Sequence, residues 1–171
     1  SGRIPITFPK SLSQLPDYSD YSMNNRTYKF IDYDPMYPFG FGLSYSKFSY
    51  SKTILNKSKI KIGQSIEASI NIENVSNIPG EEVVQLYITD LESSFRVPKS
   101  KLIGFKKISL NPGENKNIKF IISSDMMSNI DEKGKYSLES GNYKITIGPS
   151  SPWKESESYG QIFSHSYFSL H

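Results

Sequence analysis

The sequence predicts an all-β protein, a β-sandwich over residues 48–171 entered by an extended N-terminal strap over residues 1–47. Three observations carry this reading. Apolar residues alternate with period two in several short runs, the pattern of half-buried strands. Turn signals built on Pro-Gly and Ser-Gly-Asn separate those runs. No segment carries an apolar stripe of period 3.6 and helical length, although Asp125 to Asp131 has room for a single turn.

In the first run, Ile60, Ile62, Ile66, Ala68, Ile70 and Ile72 occupy even positions, interrupted at Gly63-Gln64, where a turn or bulge is expected. Val84, Leu86 and Ile88 repeat the alternation, interleaved with Val83, Gln85, Tyr87 and Thr89. Ile118, Phe120 and Ile122 form a third set, and Tyr143, Ile145 and Ile147 a fourth. A last run from Ile162 to Leu170 is less regular and rich in Phe, Tyr and Ser. Ile78-Pro79-Gly80 and Asn111-Pro112-Gly113 place Pro and Gly where a type II turn wants them, and Ser140-Gly141-Asn142 is a further break. Short strands following one another without helices between them give a sandwich.

Residues 1–47 read differently. Five prolines (Pro5, Pro9, Pro16, Pro35, Pro38) remove ladder donors and bias their neighbours to extended backbone, so a strap is expected in place of an independent core. Nine of the 23 aromatic residues lie between Tyr28 and Tyr50, so the strap needs a surface to bury them against. The densest stretch, Tyr37-Pro38-Phe39-Gly40-Phe41-Gly42-Leu43-Ser44-Tyr45, carries no charge.

Composition narrows the function classes. A length of 171 residues suits one domain with an appendage. Twenty Lys and Arg against 17 Asp and Glu leave a charge of +3, and the lysines are scattered, which argues against nucleic acid as a partner. No cysteine is present, so disulfides and thiolate metal sites are excluded. No apolar run approaches the roughly 20 residues that a membrane-crossing helix needs, and the start carries no signal-peptide pattern. Sequons occur at Asn25, Asn56 and Asn74, about what an Asn- and Ser-rich chain produces by chance. Ser1 to Phe8 opens in mid-strand pattern without an initiator Met, from which we expect a chain cut from something longer.

Asp17, Asp20, Asp32 and Asp34 are the carboxylates available for acid–base work, and Asp32 and Asp34 at i, i+2 would share one face of an extended segment. The competing reading is turn chemistry beside Pro35. His165 and His171 stand apart in a Ser-rich strand and at the terminus, so neither metal nor any other cofactor is expected. Gly40-Phe41-Gly42 does not complete a dinucleotide fingerprint, because Tyr45 stands where the third Gly belongs and no helix follows. Two uses remain for the aromatics. Tyr37, Phe39, Phe41 and Tyr45 could pack between domains, the favoured reading, or Tyr37, Phe39, Phe41 and Trp153 could stack on sugar faces in a stand-alone carbohydrate-binding or adhesive sandwich.

Taken together, the segments resemble the C-terminal part of the family-three glycoside hydrolases, the retaining β-glucosidases and β-xylosidases. Gly2-Arg3-Ile4-Pro5-Ile6-Thr7-Phe8-Pro9-Lys10-Ser11 is similar to that family's G-R-L-P-V-T-F-P-R/K-S, and Gln14-Leu15-Pro16 follows it. Tyr33 to Tyr45 is similar to Y-x-P-L-Y-P-F-G-Y-G-L-S-Y, and Gly80 to Tyr87 to G-x-E-V-V-Q-L-Y. Leu102 to Phe105, Leu110 to Glu114, and Glu139 to Tyr143 followed by Gly148 complete six motifs in order over residues 1–150. The resemblance implies that residues 1 to about 15 end an α/β sandwich domain, that 16–47 are a linker, and that the remainder is an immunoglobulin-like, fibronectin type III-like domain. It further implies that the nucleophilic Asp, on a (β/α)8 barrel, and the acid/base Glu both lie upstream of Ser1. The chain by itself is then expected to be inactive, with those upstream domains as partners and an oligosaccharide as a further one, and a secreted or extracytoplasmic location is slightly favoured. Arg96 to Leu102 departs from the glucosidase pattern toward xylosidase-like members, and Ser140 replaces the family's usual Pro, which leaves glucose or xylose open.

Overall fold

The computed structural model describes residues 2–153 and 160–171. The period-two runs become strands β1 (Phe48–Tyr50), β2 (Ile54–Leu55), β3 (Lys59–Ile60), β4 (Ile66–Asn74), β5 (Gly80–Asp90), β6 (Lys101–Leu110), β7 (Asn115–Ile122), β8 (Asn129–Ile130), β9 (Tyr136–Ser137), β10 (Gly141–Gly148) and β11 (Ser164–Leu170). Two single α-helical turns, α1 (Thr27–Phe30) and α2 (Ser124–Met127), and a 3-10 turn at Leu12–Gln14 accompany them, α2 overlapping the stretch where the sequence left room for a turn.

One sheet is centred on β4, with β1 and β2 along one edge and β7 along the other. The second sheet runs β3-β11-β10-β5-β6, antiparallel except where β3 lies parallel to β11. The register of β4 on β7 sets Ala68 beside Phe120 and Ile70 beside Ile118. These residues meet Val84, Leu86, Ile88, Tyr143, Ile145 and Ile147 of the other sheet in one continuous core. Each such isoleucine contributes about 1.5–3 kcal/mol by burial, which is why alternation this regular specifies the register.

Two local expectations change. Ile62 is exposed, because the chain turns at Lys61–Gln64 (Gln64 N donates to Lys61 O, 3.0 Å) with Gly63 at φ +89°, so the strand phase ends at Ile60. Gly80 does not sit in a type II turn. It opens β5, where a Cβ would lie 2.2 Å from Ser46 Oγ, and the glycine is needed for close approach. Asn111–Glu114 is the predicted turn, closed by Glu114 N to Asn111 O at 3.0 Å with Gly113 at φ +73°. The bend before β5 is organised instead by Asn74. Its Nδ2 donates to Ile78 O (2.8 Å) and Leu110 O (3.0 Å), and its Oδ1 accepts from Ser76 N (3.0 Å).

The strap is not a single extended run. Ile4 N donates to Phe41 O (2.9 Å), Gly40 N to Ile4 O (2.8 Å), Phe8 N to Tyr37 O (3.0 Å) and Met36 N to Phe8 O (2.7 Å), so residues 4–8 lie alongside 36–41. Pro5 and Pro9 occupy the intervening positions, whose backbone faces the other way, and therefore cost this ladder no donor. The doubled strap lies across the outer face of the five-stranded sheet. Interior strand β5 is accordingly buried on both sides, with Val84, Leu86 and Ile88 in the sandwich core and Gln85 and Tyr87 beneath the strap.

Three outcomes are expected. Gly40→Ala forces a Cβ to 2.2 Å from Gln85 Oε1 at φ +78°, and should lower unfolding free energy in urea by about 3 kcal/mol. Gly63→Ala, with open space around it, should cost only about 1 kcal/mol. Expression in a glycosylating secretory host should leave Asn74 unmodified, since its side chain is fully buried with both amide hydrogens committed, and mass spectrometry of the folded product checks this.

Candidate functional site

Within Tyr37–Tyr45 the aromatics divide by direction. Phe39 stacks on Tyr28 (centroids 4.3 Å apart), and Tyr28 stands edge-on to Tyr87 of β5 at 6.1 Å. Tyr28 also accepts a hydrogen bond at its hydroxyl from Leu102 N, 3.0 Å. Phe41 is buried and stacks on Tyr37 at 5.1 Å, and Tyr37 meets Phe8 edge-on. Tyr45 is 98% exposed and Leu43 is likewise outside. Thus Phe39 and Phe41 point toward this chain's own strap and sandwich, Tyr37 is half exposed, and Tyr45 is free of both.

The centre of the contact is polar. Gln85 Nε2 donates to Gly40 O (3.1 Å) and to Pro149 O (2.6 Å), while Gln85 Oε1 accepts from Tyr87 Oη (2.6 Å). Ser151 N donates to Phe39 O at 2.8 Å, so the segment after β10 closes over the same turn. Burial raises the Tyr87 hydroxyl far above the ordinary tyrosine value, which keeps it a neutral donor.

A second anchor joins the start of the strap to β5. Arg3 pairs with the carboxylate of Glu82, both side chains nearly buried, and Arg3 Nη1 donates to Gly42 O at 3.0 Å. Glu82 also accepts from Val83 N at 2.8 Å. Burial pushes the Glu82 carboxyl above its ordinary value of 4.5, against the opposing pull of Arg3. The Tyr50 hydroxyl beside it is raised too, by burial first and by the Glu82 charge second. Neither Arg3 nor Glu82 was singled out from the sequence. The available signal was phase: Glu82 shares even parity with Val84, Leu86 and Ile88, which puts a carboxylate on the core face and demands a cation.

The remaining candidates are dispersed. Asp17 and Asp20 each accept from the backbone N–H and hydroxyl group of the serine two residues on, Ser19 and Ser22, and those bonds hold their carboxyls below the usual range. Asp32 pairs with Lys99, which lowers it as well. These are exposed turn and surface carboxylates. His165 Nδ1 shares a hydrogen bond with Thr146 Oγ1 (2.9 Å), and His171 pairs through its backbone with Ile60 and Ile62. Among the described residues no group of three or more His, Asp or Glu could hold a metal. One face of Trp153 is taken by Lys99 Nζ, 5.8 Å from the ring centroid. Lys101, half-buried and donating to Ser128 O, is lowered to about 8 by desolvation and by Lys29.

A family model described as a fibronectin type III-like domain matches residues 82–151. A putative β-xylosidase of Formosa agariphila is 44% identical over 155 residues, 88% of this chain and 20% of that protein. Thermostable β-glucosidase B of Acetivibrio thermocellus is 36% identical over 165 residues, 88% of this chain and 22% of its own length. Among solved structures, a β-glucosidase from Erythrobacter marinus superposes with a TM-score of 0.81 at 31% identity, covering 99% of this chain and 22% of that one. The β-D-glucoside glucohydrolase of Trichoderma reesei gives 0.80 at 29% identity, covering 100% and 27%. The chain thus spans about a fifth of the length of the curated relatives it matches.

The pH dependence follows from Glu82. Its folded value lies above 4.5, so its contribution to stability is present below that pH and lost as pH rises through the folded value. In urea unfolding at pH 4 and pH 7, the stability of the natural chain relative to Glu82→Gln should fall as pH rises. Arg3→Met, which removes the counter-charge, should steepen the fall and cost about 3 kcal/mol at pH 7. A relative stability that instead grows with pH would mean that Arg3 outweighs desolvation.

Proposed function

We propose that this chain, which belongs to the family-three glycoside hydrolases as the C-terminal part that carries their fibronectin type III-like domain, is the non-catalytic module of a retaining β-glycosidase and braces its catalytic domains. On this reading residues 1–47 are the end of the preceding α/β domain and the linker, and residues 48–171 are the sandwich. One observation carries it above the rest. The strap is built into the sandwich through Gln85, Gly40 and the Arg3–Glu82 pair, so whatever the strap is joined to is held at a set position against a stable sheet. Tyr37 and Tyr45, with Leu43, are the parts of the aromatic stretch left to reach a neighbouring domain, while Phe39 and Phe41 support them from beneath.

Among the described residues, the candidate carboxylates Asp17, Asp20 and Asp32 give no support to a catalytic role for this chain itself. Retaining hydrolysis needs two carboxylates about 5 Å apart across the scissile bond. Asp17 and Asp20 are instead bound into serine turns, and Asp32 is paired with Lys99. The substrate of the whole protein is proposed as a β-glucoside or β-xyloside, from the names of the relatives.

Aryl β-glucoside and β-xyloside assays test this. The full-length protein should hydrolyse one of them, and residues 1–171 alone should give only the rate of buffer. Turnover by the isolated chain would overturn the proposal. Titration of the chain with cello- and xylo-oligosaccharides, followed by Trp153 fluorescence, should show no saturable change at millimolar sugar.

A further inference from the structure

The strap has an outer side that its own sandwich does not cover. A cavity of about 820 Å³ opens there, with walls that include Ile6, Leu15, Tyr18, Met23, Phe30 and Tyr33. Tyr18 of that wall is exposed by 90%, and Leu12 and Tyr21, which flank it on the same strap, by 84% and 82%. So many large apolar side chains on one segment of one face mark a surface made to be covered.

The loop that carries them does not depend on them for its shape. Arg26 holds it through polar bonds, with Nε donating to Asp20 O and Nη2 to Asp17 O, both at 2.9 Å, while Asp32 N donates to Asn25 Oδ1 at 2.8 Å. This network fixes Met23, Asn25 and Thr27 in left-handed backbone, at φ +63°, +53° and +55°. Such conformations are unfavourable for non-glycine residues, most of all for β-branched Thr27, and cluster where surrounding structure imposes them for use. Here all three line the cavity. A polar frame therefore holds apolar side chains outward.

We propose that this groove, and not the Tyr37–Tyr45 stretch, is the main seat of the preceding catalytic part of the same polypeptide. The inference rests on the reading above and names the surface that does the bracing. Two observations select this occupant. The relatives extend over about five times the matched length, so a large partner is available within one chain. One wall of the groove is Pro5, Ile6 and Thr7, near the N-terminal side of the strap, so a preceding domain is tethered beside it at high effective concentration. The contact is made by side chains. Pro5 and Pro9 leave the outward edge of that segment short of donors, so a partner cannot extend the ladder as an added strand.

Hydroxyl-radical footprinting of the full-length protein tests this by comparing like side chains. Tyr136, 82% exposed on the β8–β9 hairpin, serves as the internal reference. Tyr18 and Tyr21 should oxidise about fivefold or more slowly than Tyr136, because apolar docking excludes water. If Tyr18 and Tyr21 match Tyr136 while Tyr45 is protected, the groove assignment falls and the bracing role stands with its contact elsewhere. If all three react like Tyr136, both fall. Protection of Tyr18 and Tyr21 that vanishes on dilution would assign the groove to a second copy and overturn the proposal.

Discussion

The Gln85 side chain is the interaction on which the arrangement depends. A primary amide out of contact with water costs about 1–3 kcal/mol for each group left unsatisfied, so it is tolerated only where partners are supplied. Here both amide hydrogens are taken by carbonyls from two segments, Gly40 in the strap and Pro149 after β10, and the amide oxygen is taken by Tyr87. One side chain on β5 thus joins the strap, its own strand and the loop that leaves β10. Gly40 is the matching constraint, since any Cβ there would occupy the space of the amide.

Several features follow from that junction. The outer face of a five-stranded sheet would be half solvated in an ordinary sandwich, and β5 would alternate polar and apolar. With the strap in place, Tyr87 and Thr146 are buried on that face, and the aromatic chain Phe39–Tyr28–Tyr87 continues the packing outward. The Arg3–Glu82 pair secures the other leg of the strap at the end of the same strand. Breaking a buried pair by removal of one partner costs more than the pair itself contributes, so this anchor sets position more than it adds stability.

These constraints bear on function through what they leave outside. A module whose first 47 residues were only a tether would transmit little force or geometry to a neighbour. Anchoring at Arg3, Gly40 and Phe39 places the loop around Arg26 at a defined location on the sheet, with its apolar side chains facing away. The carboxylates of that region, Asp17, Asp20 and Asp32, are engaged in turns and an ion pair that hold the loop in place.

The sequence by itself determined the parts that depend on neighbours along the chain. Period-two alternation specified the strands and the core face, as Ile66–Ile72 and Ile118–Ile122 show, and Asn111-Pro112-Gly113-Glu114 specified its turn. Six motifs in order identified the family. Ile62 and Gly80 misled because turn phase and the clearance between distant segments are set by what packs nearby, not by the residues adjacent in sequence. Only the tertiary structure decided that the strap doubles back onto its own sandwich, that Phe39 turns inward while Tyr45 turns outward, and that Glu82 finds Arg3. Those contacts join residues 45 and 79 positions apart. Alternation says which face of a strand is buried, but carries no information about which distant segment will cover it.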